Sequence, residues 1–251
     1  MVCRLKTPLY GLKQAPRAWH LKITKYLHQI GLNKSKSDNS LFIRSDSRGH
    51  LFIIIYVDDL VIEGEHFVDI EHIKKLLSSR LEMKDMKELH YFLGIEVIRT
   101  PDDIMLSQRH YILNLLYKFG MTECKPITTP LDRNLKLDVD SGTTKCEPTF
   151  YRQLVRSLIY LIITRPDLSY PVDLLREFMQ TPRDIHLDCA KRVVRYVSVT
   201  WDFGILYVSA TPIRLKGYTN ADWADYKVDR RSTSGFVFSL GNRAISWSNK
   251  N

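Results

Sequence analysis

Hydrophobic positions along the chain follow two rhythms, and the densest apolar run is Leu51 to Gly64, LFIIIYVDDLVIEG. Leu51 to Val57 carry no charge and are rich in β-branched and aromatic side chains, which predicts a strand buried on both faces. Asp58 and Asp59 interrupt the run, and the apolar stretch Leu60 to Ile62 resumes it, so the acidic pair is placed at the tip of a tight hairpin. Upstream, Trp19, Ile23, Tyr26, Leu27 and Ile30 form a helical stripe that starts near Pro16 and stops at Gly31. Its opposite face carries Arg17, Lys22 and Lys25. Leu41 to Arg44 read as a short strand, followed by a polar turn.

Downstream the alternation continues. Ile70, Ile73, Leu76, Leu77 and Leu81 mark an amphipathic helix. Leu89 to Val97 read as one strand, and Pro101 to Asp103 as a turn. Ile104 to Leu106 resume a strand, and Ile112, Leu115, Leu116 and Phe119 make a helix closed by Gly120. Thr122 to Pro148 lose periodicity and gather Pro126, Pro130, Gly142 and Pro148, the composition of a linker. A helical block follows to Val197. Strands are then expected at 203–208, 213–218, 234–240 and 243–247, giving an α+β chain.

The 251 residues are 44% hydrophobic and 26% charged, as in globular proteins, and suffice for one large domain or two modest ones. No apolar run approaches the roughly 20 residues of a membrane span, and the opening MVCRLKTPLYG lacks a signal-peptide core, so an intracellular protein without a membrane partner is expected. Cys3, Cys124, Cys146 and Cys189 lie too far apart in sequence to suggest a zinc site or a disulfide framework. A formal charge of +9 points to a polyanion such as nucleic acid. Eight basic residues precede position 40, against the single acid Asp38. That excess leads directly into the acidic hairpin.

Two adjacent carboxylates with apolar flanks repel each other and lose hydration, so one is expected to take up a proton unless a divalent cation compensates them. Ordinary turn chemistry is the other reading of an Asp-Asp pair.

LYGLKQAPRAW at 9–19, followed by YVDD at 56–59, resembles the reverse transcriptase of Copia-type retrotransposons. The resemblance implies a ferredoxin-like palm over 1–121, a linker over 122–148, a helical connection over 149–200 and the truncated start of an RNase H-like sheet over 201–251. Asp58 then corresponds to the ligand shared by two Mg²⁺ ions and Asp59 to the supporting carboxylate. Tyr56 and Val57 position the turn beneath the primer end, and Lys13, Gln14 and Arg17 meet template, nucleotide or phosphates. Phe92, Leu93 and Gly94 resemble the primer-grip motif. The partners implied are an RNA template, a DNA primer or RNA–DNA hybrid, and a deoxynucleoside triphosphate.

FYRQLVRSLIYLIITRPDLSY resembles the connection region of the same polyproteins, with Arg156 standing where glycine is usual. GYTNADWADYKVDRRSTSGFVF resembles the opening of a retroelement RNase H domain. Asn220 stands where that family places its first metal-binding Asp, and Asp222 follows two residues on. In the family a further palm carboxylate falls upstream of the position of Met1, so an upstream polyprotein segment is expected to supply it. The expectation is therefore a polymerase segment inactive by itself, or a degenerate nucleic-acid-binding remnant. The glycine-rich acidic hairpin of a palm-fold cyclase is absent from the sequence.

Overall fold

A computed structural model describes residues 13–132, 137–138, 141–142, 144–209, 212–221 and 234–250. The chain divides into two compact units, Met1–Leu89 and His90–Asn251. Both mix helices with antiparallel sheet.

In the first unit, α1 (Ala15–Gln29) carries Pro16 in its opening turn, where a missing N–H costs nothing. Gly31 ends it with φ 90°, a left-handed conformation that glycine adopts without steric penalty. The Gly31 N–H donates to the His28 carbonyl at 3.1 Å and the Leu32 N–H to Leu27 at 2.9 Å, so the last carbonyls are satisfied. Four strands follow in spatial order, β1 (Asn33–Lys34), β2 (Leu41–Asp46), β3 (Gly49–Tyr56) and β4 (Asp59–Gly64), all antiparallel. Helix α2 (Phe67–Ser78) completes the unit.

Ile23 and Leu27 of α1, Phe42 of β2, Leu51, Ile53 and Ile55 of β3, and Ile73 and Leu77 of α2 make its core. The Tyr26 hydroxyl donates to the Leu76 carbonyl at 2.8 Å and joins the two helices. Buried Arg44 reaches Asp69 at 3.1 Å, fastening β2 to α2. Here the expectation for β3 is corrected. Its burial alternates strictly, and Phe52, Ile54 and Tyr56 are 36%, 38% and 50% exposed. The helices cover one face of the sheet, and in this unit the other stays open.

The second unit begins with β5 (Tyr91–Phe92), β6 (Ile95–Arg99) and β7 (Asp103–Ser107), then α3 (Arg109–Lys118). Gly120, at φ 64°, closes α3 with the same pair of bonds, Gly120 to Tyr117 and Met121 to Leu116. Helices α4 (Pro148–Leu161), α5 (Ser169–Glu177) and α6 (Asp184–Val199) form the larger core around Tyr151, Leu154, Leu158, Val172, Val193 and Val197. Arg156 is exposed on α4, so the charge that replaces the usual glycine meets solvent. Strand β8 (Gly204–Val208) pairs with β7, giving the sheet order β5-β6-β7-β8. Strands β9 (Leu215–Ala221), β10 (Ser234–Leu240) and β11 (Arg243–Lys250) form a separate antiparallel sheet. The Trp247 indole N–H donates to the Ile162 carbonyl at 3.0 Å and holds that sheet to the helical block. Among the described residues, no helix is long and apolar enough to cross a membrane.

Within this block His186 is fully buried and stacked on Phe178 at 4.0 Å. Its Nδ1 accepts from the Arg183 N–H at 3.1 Å, which leaves Nε2 to donate to the Asp138 carbonyl at 3.0 Å. Burial pushes the imidazole pKa below its ordinary 6.5, Arg183 adds to that, and the Asp138 carbonyl and nearby Asp184 oppose it. The unfolded chain therefore binds the proton more readily. Stability is full above about pH 6.5 and is lost as pH falls through that value towards the folded pKa. Urea unfolding at pH 7.5 and 5.5 is expected to show this loss, and His186→Gln to flatten it.

Candidate active site

The β3–β4 hairpin closes through the two residues between Tyr56 and Asp59, which face each other in register. Val57 takes φ 51°, a left-handed backbone that a β-branched residue adopts at a cost of order 1–3 kcal/mol. Asp58 follows at the tip, and Asp59 opens β4 on the open face of the sheet, opposite Tyr56. The sheet register thus aims two carboxylates at solvent from one rigid turn. Both are exposed, and neither takes part in a hydrogen bond or ion pair among the described residues. By contrast, Asp38, Asp46 and Asp85 of the same unit are all engaged, and their hydrogen bonds hold those carboxyls below the usual carboxylate range.

This exposure corrects the expectation that the pair loses hydration. The carboxylates keep their hydration, so burial does not demand a compensating cation. They remain suited to one, because Mg²⁺ takes hard oxygen donors and is commonly held by one or two carboxylates together with substrate phosphates. Among the described residues, no group of three or more His, Cys, Asp or Glu is arranged to hold a metal ion. The hairpin therefore offers two donors from one backbone segment.

Lys13, Gln14 and Arg17 lie together at the start of α1, and all three are exposed. Gln14 is the N-cap residue, yet its side chain makes no capping bond, and the first turn carries no acidic residue. The positive helix end and the two cations attract anions. Lys22 and Lys25 extend the exposed basic face along the helix.

Phe92, Leu93 and Gly94 belong to the second unit and do not lie within one continuous strand. Phe92 ends β5, and Leu93 and Gly94 form a two-residue turn with φ 50° and 77° before β6. Two successive positive φ values make the tight reversal that matches strand twist in a hairpin. Asn220 lies on exposed β9 in register with Gly235 of β10, and Asp222 falls outside the described residues. Residue types alone gave no reason to single out Tyr160 and Gln108, which meet the Leu93 turn and the helical block. Their signal is spatial, since Tyr160 reaches across 67 positions to the Leu93 carbonyl.

The hairpin tip carries paired aspartates on a helix-backed antiparallel sheet, and the class of protein follows from the comparison with known families. A family model described as reverse transcriptase (RNA-dependent DNA polymerase) matches residues 1–133, and the chain belongs to that family. Relatives extend the similarity beyond that region. The retrovirus-related Pol polyprotein from transposon RE2 of Arabidopsis thaliana is 45% identical over 249 residues, covering 99% of this chain and 17% of the polyprotein. The corresponding polyprotein from transposon TNT 1-94 of Nicotiana tabacum is 35% identical, over 100% of this chain and 20% of its own length. The putative transposon Ty5-1 protein of Saccharomyces cerevisiae is 33% identical, over 96% of this chain and 79% of its own length. The chain thus spans about a sixth of the length of the RE2 polyprotein. No solved structure matches it.

Proposed function

We propose that this chain is the palm-bearing part of a retrotransposon RNA-directed DNA polymerase, in which Asp58 and Asp59 serve nucleotidyl transfer onto a DNA primer annealed to an RNA template. The observation that carries this reading is the hairpin itself, two exposed and uncommitted carboxylates on a constrained turn. In this reading residues 1–121 form a ferredoxin-like palm, 122–148 a linker, 149–200 a helical connection and 201–251 the start of an RNase H-like region. Asp58 and Asp59 would hold Mg²⁺. When bound, the ion supplies charge neutralisation at the phosphoryl oxygens during in-line displacement.

The chain's own residues do the rest. Lys13 and Arg17 hold phosphate oxygens, and Gln14 offers an amide free to hydrogen-bond sugar or base. Phe92, Leu93 and Gly94 present a hairpin turn to the primer strand, and Tyr56 braces the catalytic turn from the open face. Two-metal transfer requires carboxylates from more than one backbone segment, and the hairpin supplies one segment. A third carboxylate must therefore join it before chemistry proceeds. With Mg²⁺, an RNA template, an annealed DNA primer and deoxynucleoside triphosphates, the chain alone is expected to bind template–primer and give no extension. Extension that Asp58→Asn abolishes would show that the chain is self-sufficient.

A second reading, a non-catalytic nucleic-acid-binding remnant, is favoured by Asn220, because an amide is a weaker Mg²⁺ ligand than a carboxylate. Binding itself is common to both readings. Neutralising Lys13, Arg17, Lys22 and Lys25 is expected to weaken template–primer binding. It should also lower the slope of log affinity against log salt by about three to four, at roughly 0.7 to 0.9 per neutralised cation. Fluorescence anisotropy titrations between low and physiological salt read both quantities, and an unchanged slope would make the charge incidental.

A further inference from the structure

The Leu93–Gly94 turn has a support outside its own sheet. The hydroxyl of Tyr160, at the C-terminal end of α4, donates to the Leu93 carbonyl. A Cβ at position 94 would collide with that hydroxyl, so glycine is required there both by φ and by the approach of Tyr160. Leu93 has neither excuse. A leucine at φ 50° is uncommon and persists where its surroundings over-determine it.

Tyr160 is itself held from several sides. Its ring meets Tyr111 edge-on with centroids 4.7 Å apart, and the Tyr111 hydroxyl donates to the Ser157 carbonyl at 3.0 Å. Gln108, fully buried, donates from Nε2 to the Tyr160 carbonyl at 3.1 Å and accepts at Oε1 from the Thr164 hydroxyl at 2.8 Å. Thr164 opens the TRPD stretch. An unbroken set of contacts therefore runs from that stretch through Gln108 and Tyr160 to the turn.

We propose that Tyr160 is a positioning residue that holds the Leu93–Gly94 turn in its left-handed conformation for engagement of the primer strand. The primer side of this rests on the polymerase reading, whereas the support of the turn rests on the contacts alone. The segment 160–167, where α4 ends and the chain turns, thereby acquires a part in nucleic-acid engagement beyond packing its own core. Removing the hydroxyl leaves the ring, the Tyr111 contact and the backbone bond from Gln108 in place, so Tyr160→Phe removes the bond to the turn.

The test compares the full chain with its Tyr160→Phe variant by amide hydrogen exchange and by binding to two labelled probes, a template with a recessed DNA primer and the same template single-stranded. Exchange at Gly94 and Ile95 is expected to quicken about tenfold, with Leu154 to Leu158 of α4 unchanged. Affinity for the recessed primer should fall five- to tenfold, whereas affinity for the single strand should change less than twofold. A purely structural role would lower both affinities together. Unchanged exchange at the turn, or equal loss on both probes, overturns the proposal. A wild-type chain with no preference for the recessed primer defeats the polymerase reading and the primer side of the proposal with it, and the exchange result then decides the support of the turn by itself.

Discussion

Replacing Arg165 by methionine is expected to destabilise the second unit by about 3 kcal/mol, the low end of what breaking a buried ion pair costs. Arg165 is 1% exposed, and four of its five guanidinium N–H groups have acceptors. Nε and Nη2 form a fork onto Asp167 at 2.9 and 2.7 Å, Nη1 donates to the Thr200 carbonyl at 2.8 Å, and Nη2 also reaches the Thr200 hydroxyl at 2.9 Å. The rings of Tyr196 and Phe203 lie 5.5 and 5.3 Å from its central carbon. Methionine fills much of the volume but removes one of the two donors to the buried Thr200 carbonyl, which keeps the Phe203 N–H at 3.1 Å, and leaves Asp167 without its counter-charge.

The low end of the range applies because Asp167 retains 39% side-chain exposure and its bond from the Tyr196 hydroxyl, so it can recover some hydration. Arg165→Lys keeps the charge but cannot form the fork, and should fall between wild type and the methionine variant. Thermal unfolding followed through tryptophan fluorescence is expected to shift by roughly 6 to 12 °C for Arg165→Met. A shift within 2 °C would mean that the fork contributes little beyond its own desolvation.

Much of the chain's local order was legible from residue spacing. The stripes at Trp19–Ile30 and Ile112–Phe119 became α1 and α3, and Gly31 and Gly120 closed them as expected. Period and terminator agree there, and both are local. The acidic pair was likewise placed at a hairpin tip. The burial of β3 was not legible, because a continuous apolar run reads the same whether one face or both are covered. What decides is the number of layers packed on the sheet, and α1 and α2 supply one.

The break at Leu93 escaped for a different reason. Type I′ turns announce themselves through Asn-Gly or Asp-Gly, and a leucine in the left-handed region carries no such signal. Its support comes from Tyr160, distant in sequence. Arg165 also gave no sign of burial, since its acceptors on Thr200 lie 35 positions away. Pairing of β8 with β7 rather than with β9 is non-local in the same sense. Residue type and spacing therefore located the candidate chemistry, and long-range contacts determine how its parts are held.

The largest effect is expected at Asp58, in a setting where the third carboxylate is present. If the chain replaces its 249-residue counterpart in a primer-extending polymerase of this family, the chimera should extend a DNA primer on an RNA template with Mg²⁺. Asp58→Asn should then lower the rate by ~10³-fold, equivalent to several kcal/mol of lost charge stabilisation in the transition state. The substitution preserves shape and hydrogen-bonding reach while removing the negative charge. Because Asp58 is exposed and makes no bond to the rest of the described residues, folding should be unaffected, which separates a chemical loss from a structural one. On the proposed roles, Asp59→Asn should cost less, because Asp58 would be the shared ligand and Asp59 the supporting carboxylate. Template–primer affinity measured without Mg²⁺ should not fall in either variant, because the proposed binding through the basic face of α1 would not use these groups. Equal losses for the two variants would mean that the hairpin contributes its charge as a pair, and that neither aspartate has a distinct role.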